Sequence, residues 1–151
     1  MNTKTLKCMT AAVSLFAGIG GAFSAYAAGD GPTARGIGSN DPTKDKIGAT
    51  DVYLLACPPG TITARAKINE GNNDGVQLSV QVINPHGSAV TESGVNGGLS
   101  PEAILAGGRG SYLGIVHKDG EGFEGYTLTV DCHDANGNRF AGDQATLVQD
   151  Q

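Results

Sequence analysis

The chain has 151 residues, with 15 acidic and 10 basic side chains and a formal net charge of −5 at pH 7. This acidic balance argues against a nucleic-acid partner and against an anionic membrane surface, because both attract basic patches. The length is that of one domain, which is enough to bury a core of its own.

The N-terminal segment has the features of a secretory signal peptide. Lys4 and Lys7 form a short basic region, residues 9–23 carry no charge, and residues 25–27 are a small-x-small cleavage pattern. The apolar run is too short for a membrane-spanning helix, and no later stretch is apolar enough to cross a membrane. We therefore expect residues 1–27 to be removed and the mature protein to be secreted or periplasmic.

Residues 28–50 differ from both the leader and the rest of the chain. They are rich in glycine, contain two prolines and mixed charges, and show no apolar periodicity. Such a composition is typical of a linker or tail that lies loosely on a domain. The segment predicted to fold is therefore residues 51–151.

Short strands follow one another from residue 51 onward. The clearest is 61–68, where Ile62, Ala64, Ala66 and Ile68 alternate with polar residues and should face inward. Residues 76–82 alternate in the same way, residues 52–57 predict a buried strand, and shorter strands are expected at 89–91, 103–106 and 145–148. Strands at intervals of roughly 8 to 12 residues, with turns between them and no convincing helix, indicate one antiparallel β-sandwich.

Residues 109–133 predict a β-hairpin whose arms are joined by the glycine-rich turn 118–125. Folding the arms about Glu121 directs six residues to one face, in three cross-strand pairs. These pairs are Val116 with Tyr126, Gly114 with Leu128, and Tyr112 with Val130. The register is self-consistent, so we expect the two strands to be neighbours in one sheet.

Two cysteines remain after removal of the leader, Cys57 and Cys132. In an oxidising compartment an isolated pair is most simply a disulfide. Such a bridge would close a loop of about 75 residues, worth on the order of 4 kcal/mol in the chain-entropy model. The alternative is a thiolate metal or redox site, but the spacing is not C-x-x-C and no histidine lies near Cys57 in the sequence.

Two polar turns carry oxygen ligands suited to calcium. The first contains Glu70, Asn72 and Asp74, which alternate along the chain as in a calcium-binding loop, although the twelfth position is Gln81 and not an acid. The second turn contains Asp131, Asp134 and Asn136. A metal-free polar turn is the alternative for each, and the two could share an ion if they lay at the same end of the sandwich.

Other chemistry finds less support in the sequence. The motif G-x-G-x-x-G at 120–125 precedes a predicted strand, whereas a dinucleotide site needs a helix there. No G-x-S-x-G, S-x-x-K or H-E-x-x-H motif is present. In the predicted hairpin His117 and His133 lie about 23 Å apart, so a copper or zinc site would need His86 beside one of them. Phe123, in a polar turn, is the one aromatic side chain expected to be displayed, as a loop anchor or for binding.

Five motifs between Ala49 and Cys132 occur in the order found in one bacterial family. They are DVYLL at 51–55, PGT at 59–61, the strand and turn at 78–88, GSYL at 110–113 and GYTLTV at 125–130. In this order the chain resembles the pre-peptidase C-terminal domain, a jelly-roll-like sandwich appended to secreted proteases and other exported proteins. The chain departs from the family in its single Asp51, its two cysteines and the lack of a catalytic domain in this sequence.

The resemblance implies a non-catalytic module that sometimes binds calcium and aids secretion or substrate attachment. We therefore expect an exported, non-enzymatic β-sandwich that binds a protein or surface partner through its loops, with calcium as the candidate cofactor. A periplasmic copper- or zinc-binding or stress-related protein is the alternative. A small secreted hydrolase is the second alternative.

Overall fold

The computed structural model describes residues 33–38, 48–72, 74–141 and 145–150. The predicted signal peptide lies outside these residues. The described part of the chain contains ten strands, and no helix in it is long and apolar enough to cross a membrane. The strands are β1 (Thr33–Ile37), β2 (Thr50–Cys57), β3 (Thr63–Glu70), β4 (Leu78–Asn84), β5 (Gly87–Glu92), β6 (Gly98–Leu99), β7 (Ala103–Ala106), β8 (Gly110–Lys118), β9 (Glu124–His133) and β10 (Ala145–Gln149).

The strands form two five-stranded antiparallel sheets that enclose a common core. In the first sheet the order is β1-β9-β3-β6, and β7 also pairs with β3. In the second sheet the order is β10-β2-β8-β4-β5. One buried apolar cluster draws side chains from both sheets, so the predicted antiparallel β-sandwich is confirmed.

The alternation expected from the sequence is present on the central strands. Ala64, Ala66 and Ile68 of β3 are buried, as are Leu78, Val80 and Val82 of β4. Ile62 precedes β3 and is 50% exposed, so its predicted inward position is wrong. The short strands predicted at 89–91, 103–106 and 145–148 are present as β5, β7 and β10.

The predicted hairpin is wrong, because its two arms belong to different sheets. β8 pairs with β2 and β4, whereas β9 pairs with β1 and β3. The predicted inward residues do point into one interior, but they meet across it: a Cβ built on Gly114 would lie 3.3 Å from Cγ2 of Val130. Period-two alternation is satisfied equally by neighbouring strands of one sheet and by strands that face each other across a core.

Part of the segment predicted to be a tail is a strand. β1 pairs with β9 along its whole length, Ile37 is fully buried, and the ring of Phe123 lies against Gly36. A Cβ on Gly36 would lie 1.9 Å from the Phe123 ring, so only glycine permits this contact. Five residues with one large apolar side chain are too short to show a period in the sequence.

Two cross-links connect the sheets within the core. Cys57 of β2 and Cys132 of β9 form the predicted disulfide, a bond typical of extracytoplasmic proteins. Tyr126 of β9 donates a hydrogen bond to Asp51 of β2 at 2.5 Å, and its hydroxyl lies 2.6 Å from that of Tyr53. Burial raises the pKa of Tyr126 and raises that of Tyr53 to about 12, so both remain protonated.

Candidate metal centre

Three carboxylates meet at one end of the sandwich. Glu70 ends β3 and Glu124 begins β9, and each continues the inward alternation of its strand beyond the apolar core. Asp74 lies in the connection from β3 to β4 and is exposed, whereas Glu70 is 3% and Glu124 0% exposed. One oxygen from each of Glu70, Asp74 and Glu124, the carboxylate cluster, lies within 4.8 Å of the others.

Each buried glutamate has one oxygen held by a donor and one without a partner. Ser93 Oγ donates to Glu70 Oε2 at 2.5 Å, and Asn72 Nδ2 donates to Glu124 Oε2 at 2.7 Å. The Oε1 atoms of both glutamates are buried and have no hydrogen-bond partner among the described residues. A buried carboxylate oxygen without a donor is costly, and a bound cation would remove that cost.

The electrostatics of the cluster favour a positive ion or a proton. The pKa of Glu124 is raised from its ordinary 4.5 to about 7, mainly by burial and also by Asp74 and Glu70, while the hydrogen bond from Asn72 opposes the shift. Burial likewise raises the pKa of Glu70, against its hydrogen bond from Ser93. Three nearby carboxylates cannot all ionise without repulsion, so the two buried glutamates hold their protons more tightly.

A buried cationic side chain also lies at this end of the second sheet. Lys118 is an inward residue at the end of β8 and is fully buried. Its ammonium donates a hydrogen bond to the carbonyl oxygen of Gly122, in the connection between β8 and β9. Lys118 therefore helps to hold that connection in place.

The donor set of the cluster selects a class of metal. It offers carboxylate oxygens and no histidine or cysteine, which suits hard cations such as Ca²⁺ or Mg²⁺ more than copper or zinc. Calcium accepts six to eight oxygen ligands in flexible geometry, whereas Mg²⁺ demands a near-ideal octahedron. An exposed loop carboxylate beside two fixed glutamates fits the calcium case better.

Two of the three residues predicted for the first turn belong to the cluster. Glu70 and Asp74 contribute oxygens, whereas Asn72 directs its amide nitrogen to Glu124 and to the carbonyl oxygen of Phe123. Asn72 therefore holds the Glu124 carboxylate and the backbone of Phe123 through its amide, and its role as a metal ligand stays a prediction. Sequence reasoning missed Glu124 as a member of the cluster, although its place two residues before the inward Tyr126 marks it as an inward acid at a strand end.

The second predicted turn lies at the opposite end of the sandwich. The β3–β9 register pairs Glu70 with Tyr126 and Thr63 with His133, seven residues or about 23 Å apart, so the two turns do not share an ion. Asp131 pairs with Arg139 at 2.8 Å. Asp134 accepts hydrogen bonds from the backbone N–H groups of Asn136 and Asn138, and its bonds to Asn138 are the main cause of its lowered pKa. A metal at Asp131, Asp134 and Asn136 stays a prediction.

The three histidines do not belong to the carboxylate cluster, and Phe123 packs against β1. Among the described residues no histidine joins two other metal-ligating side chains. His117 Nδ1 lies 3.4 Å from Thr50 Oγ1, His133 Nδ1 lies 3.0 Å from the Gly137 oxygen, and His86 is exposed in the β4–β5 turn. Phe123 is 42% exposed and packs on Gly36, so it anchors its loop while presenting part of its ring.

Comparison of the chain with protein-family models, with curated proteins and with solved structures finds no match. Function is therefore inferred from the chemistry of the site, since a sandwich fold alone does not specify one.

Proposed function

We propose that the protein is an exported, non-enzymatic β-sandwich module that binds Ca²⁺ at the carboxylate cluster and contacts a protein or surface partner through the loops beside it. One observation carries the proposal: two buried glutamates with unpartnered oxygens converge with a third carboxylate. The order of the strand motifs, which resembles that of secreted accessory domains, agrees with a binding role.

The ion would act by fixing the loops around it. Glu70 and Glu124 belong to the first sheet, whereas Asp74 lies in the connection that enters the second sheet. A cation held by all three would tie this connection to the start of β9. Phe123 directly precedes Glu124 and is partly exposed, so the ion would also hold the residue best placed to touch a partner.

Thermal unfolding with and without Ca²⁺ tests the proposal. We expect Ca²⁺ at a hundred times its Kd to stabilise the folded state by about 2.7 kcal/mol, because the ion binds only that state. Glu124→Gln should remove this response while raising the melting temperature of the ion-free protein at pH 8, since it relieves repulsion. Glu121→Gln, in the neighbouring turn and exposed, is the matched control and should respond like the wild type. Absence of any calcium response in the wild type contradicts the proposal.

A hydrolase is the second candidate, because one feature of the cluster also suits acid–base catalysis. A carboxylic acid with a pKa of about 7 beside a second carboxylate is the pairing that glycosidases use. Burial of both glutamates argues against it, since a sugar must reach both groups. Glycoside hydrolysis that is lost in Glu124→Gln would favour the hydrolase over the binding module.

A further inference from the structure

The outer face of the second sheet is apolar where a solvated sheet is normally polar. Leu54 of β2 lies directly opposite Leu113 of β8, and Leu113 lies opposite Ile83 of β4. Leu54 is 39% and Leu113 38% exposed, so this row of three side chains crosses the middle of the sheet on its solvent side. The outward position of Leu54 also shows that β2, expected to be buried, has one solvated face.

A second row lies beside the first and is interrupted once, by Gln81. Val52 pairs with Ile115, Ile115 with Gln81, and Gln81 with Val90, which is 61% exposed. We define the apolar patch as the six apolar side chains of the two rows. They are Val52, Leu54, Ile83, Val90, Leu113 and Ile115. Contiguous exposed apolar groups with a polar rim are typical of interaction surfaces, whereas single ones are not.

Charge separates this face from the other one. Among the described residues that alternate outward on the strands of the second sheet, Glu92 alone carries a formal charge. The outer face of the first sheet carries Arg65, Lys67 and Asp131. Two copies of a chain with a net charge of −5 repel one another, so they approach best through a face on which like charges do not meet.

The size of the face is sufficient for a pair of copies. Five strands about 4.8 Å apart, each near seven residues long, present roughly 24 Å by 23 Å, or about 550 Å² per copy. Two copies would together cover about 1,100 Å², which reaches the lower range of specific interfaces. Sheets packed face to face across a two-fold axis are a common solution for a flat apolar surface.

We propose that the apolar patch is the interface of a homodimer, in which the second sheets of two copies pack face to face. The partner is a second copy because the described outward residues on the strands of this face carry one formal charge and the face has the area that such a pair requires. The dimer does not depend on the carboxylate cluster, which belongs to the first sheet and its connection to β4. It leaves the loops at that end of each copy accessible.

Sedimentation equilibrium of the full mature chain from 5 to 500 µM tests the dimer. The wild type should move from monomer to dimer mass across this range. Leu113→Glu should weaken the association at least a hundredfold, because the dimer would bury an unpaired carboxylate from each copy. Ile104→Glu is the matched control: Ile104 is a 51% exposed apolar residue on β7 of the first sheet, and its variant should dimerise like the wild type.

Circular dichroism establishes that each variant is folded before its mass is compared. If Leu113→Glu does not fold, Val90→Lys replaces it, since Val90 is more exposed and lies on the edge strand β5. A wild type that stays monomeric at 500 µM overturns the homodimer. A dimer that survives the substitution in a folded variant overturns it as well.

Discussion

A buried carboxyl group beside two others can be neutralised in two ways, by a proton or by a metal ion. Glu124 accepts one hydrogen bond from Asn72 and leaves its second oxygen buried without a donor. The same burial that raises its pKa makes it a strong ligand once the proton is lost. The protonation of this one residue should therefore be visible in the stability of the whole domain.

We predict that, without divalent cations, the free energy of unfolding falls as the pH rises from about 4.5 to about 7. The pKa of Glu124 is raised from 4.5 to about 7, and those of Glu70 and Asp131 are also raised. The native state thus holds protons that the unfolded chain releases in this window, and a difference of this size is worth up to about 3 kcal/mol. Urea unfolding in EGTA between pH 4 and 8 measures it.

Glu124→Gln is the control for this pH dependence, because the amide does not titrate. Its unfolding free energy should change much less between pH 4.5 and 7 than that of the wild type. Asp134 has a lowered pKa, so its contribution is lost as the pH falls below its ordinary value of 3.8, outside the window. Wild-type stability that rises steadily from pH 4.5 to 7 would refute the assignment of a raised pKa to Glu124.

At the scale of the strands, the connection between β8 and β9 determines the architecture. It passes from the second sheet to the first, so the two strands face each other across the core. Gly114 faces Val130 across the core: a Cβ there would be 3.3 Å from Cγ2 of Val130 and 3.7 Å from the Cβ of Tyr53. A methyl group at Gly114 would already require the Val130 side chain to give way, and a larger side chain would require more.

We predict that Gly114→Val destabilises the protein by about 1 to 3 kcal/mol, because it overpacks the space between the sheets. Val130→Ala should leave a cavity and destabilise as well, whereas the double variant should recover part of both losses. The expected coupling energy between the two positions is about 0.5 to 3 kcal/mol, measured by urea unfolding in a double-mutant cycle. Gly114→Val combined with Leu128→Ala should couple less, since Leu128 is not among the atoms nearest to Gly114. Stronger coupling to Leu128 than to Val130 would instead favour the hairpin predicted from the sequence, in which Gly114 and Leu128 are cross-strand neighbours.

The alternation of apolar and polar residues along each strand limits how much of this fold could be predicted from the sequence. Alternation states which side of a strand is buried, and it identified the inward residues of β3 and β4 correctly. It does not state which strand lies alongside, so β8 and β9 were paired wrongly, and β1 was too short to show a period. The same limit applied to the metal centre: Glu70 and Asp74 are close in sequence, but Glu124 joins them only through the β3–β9 pairing.

At the scale of the whole molecule, the two ends of the sandwich are held by different means. The disulfide lies at the end where Cys132 pairs with Ala64, and the carboxylate cluster lies at the end where Tyr126 pairs with Glu70. The six residues that separate these pairs along β3 span about 20 Å. A covalent link and a proposed ion therefore restrain opposite ends of the same pair of layers.

We predict that the double variant Cys57→Ala and Cys132→Ala loses on the order of 4 kcal/mol of stability, because the disulfide removes the entropy of a loop 75 residues long from the unfolded chain. Alanine is the appropriate replacement, since Cys57 is 7% and Cys132 0% exposed and a serine would bury a hydroxyl group. Urea unfolding of the oxidised wild type, the reduced wild type and the double variant measures the loss, and the last two should agree closely.

The double variant should retain the calcium-induced stabilisation of the wild type, because the cluster is about 20 Å from the missing bond. A double variant as stable as the oxidised wild type would show that the disulfide does not restrain the unfolded chain, and one that folds but loses its calcium response would show that the two ends are coupled.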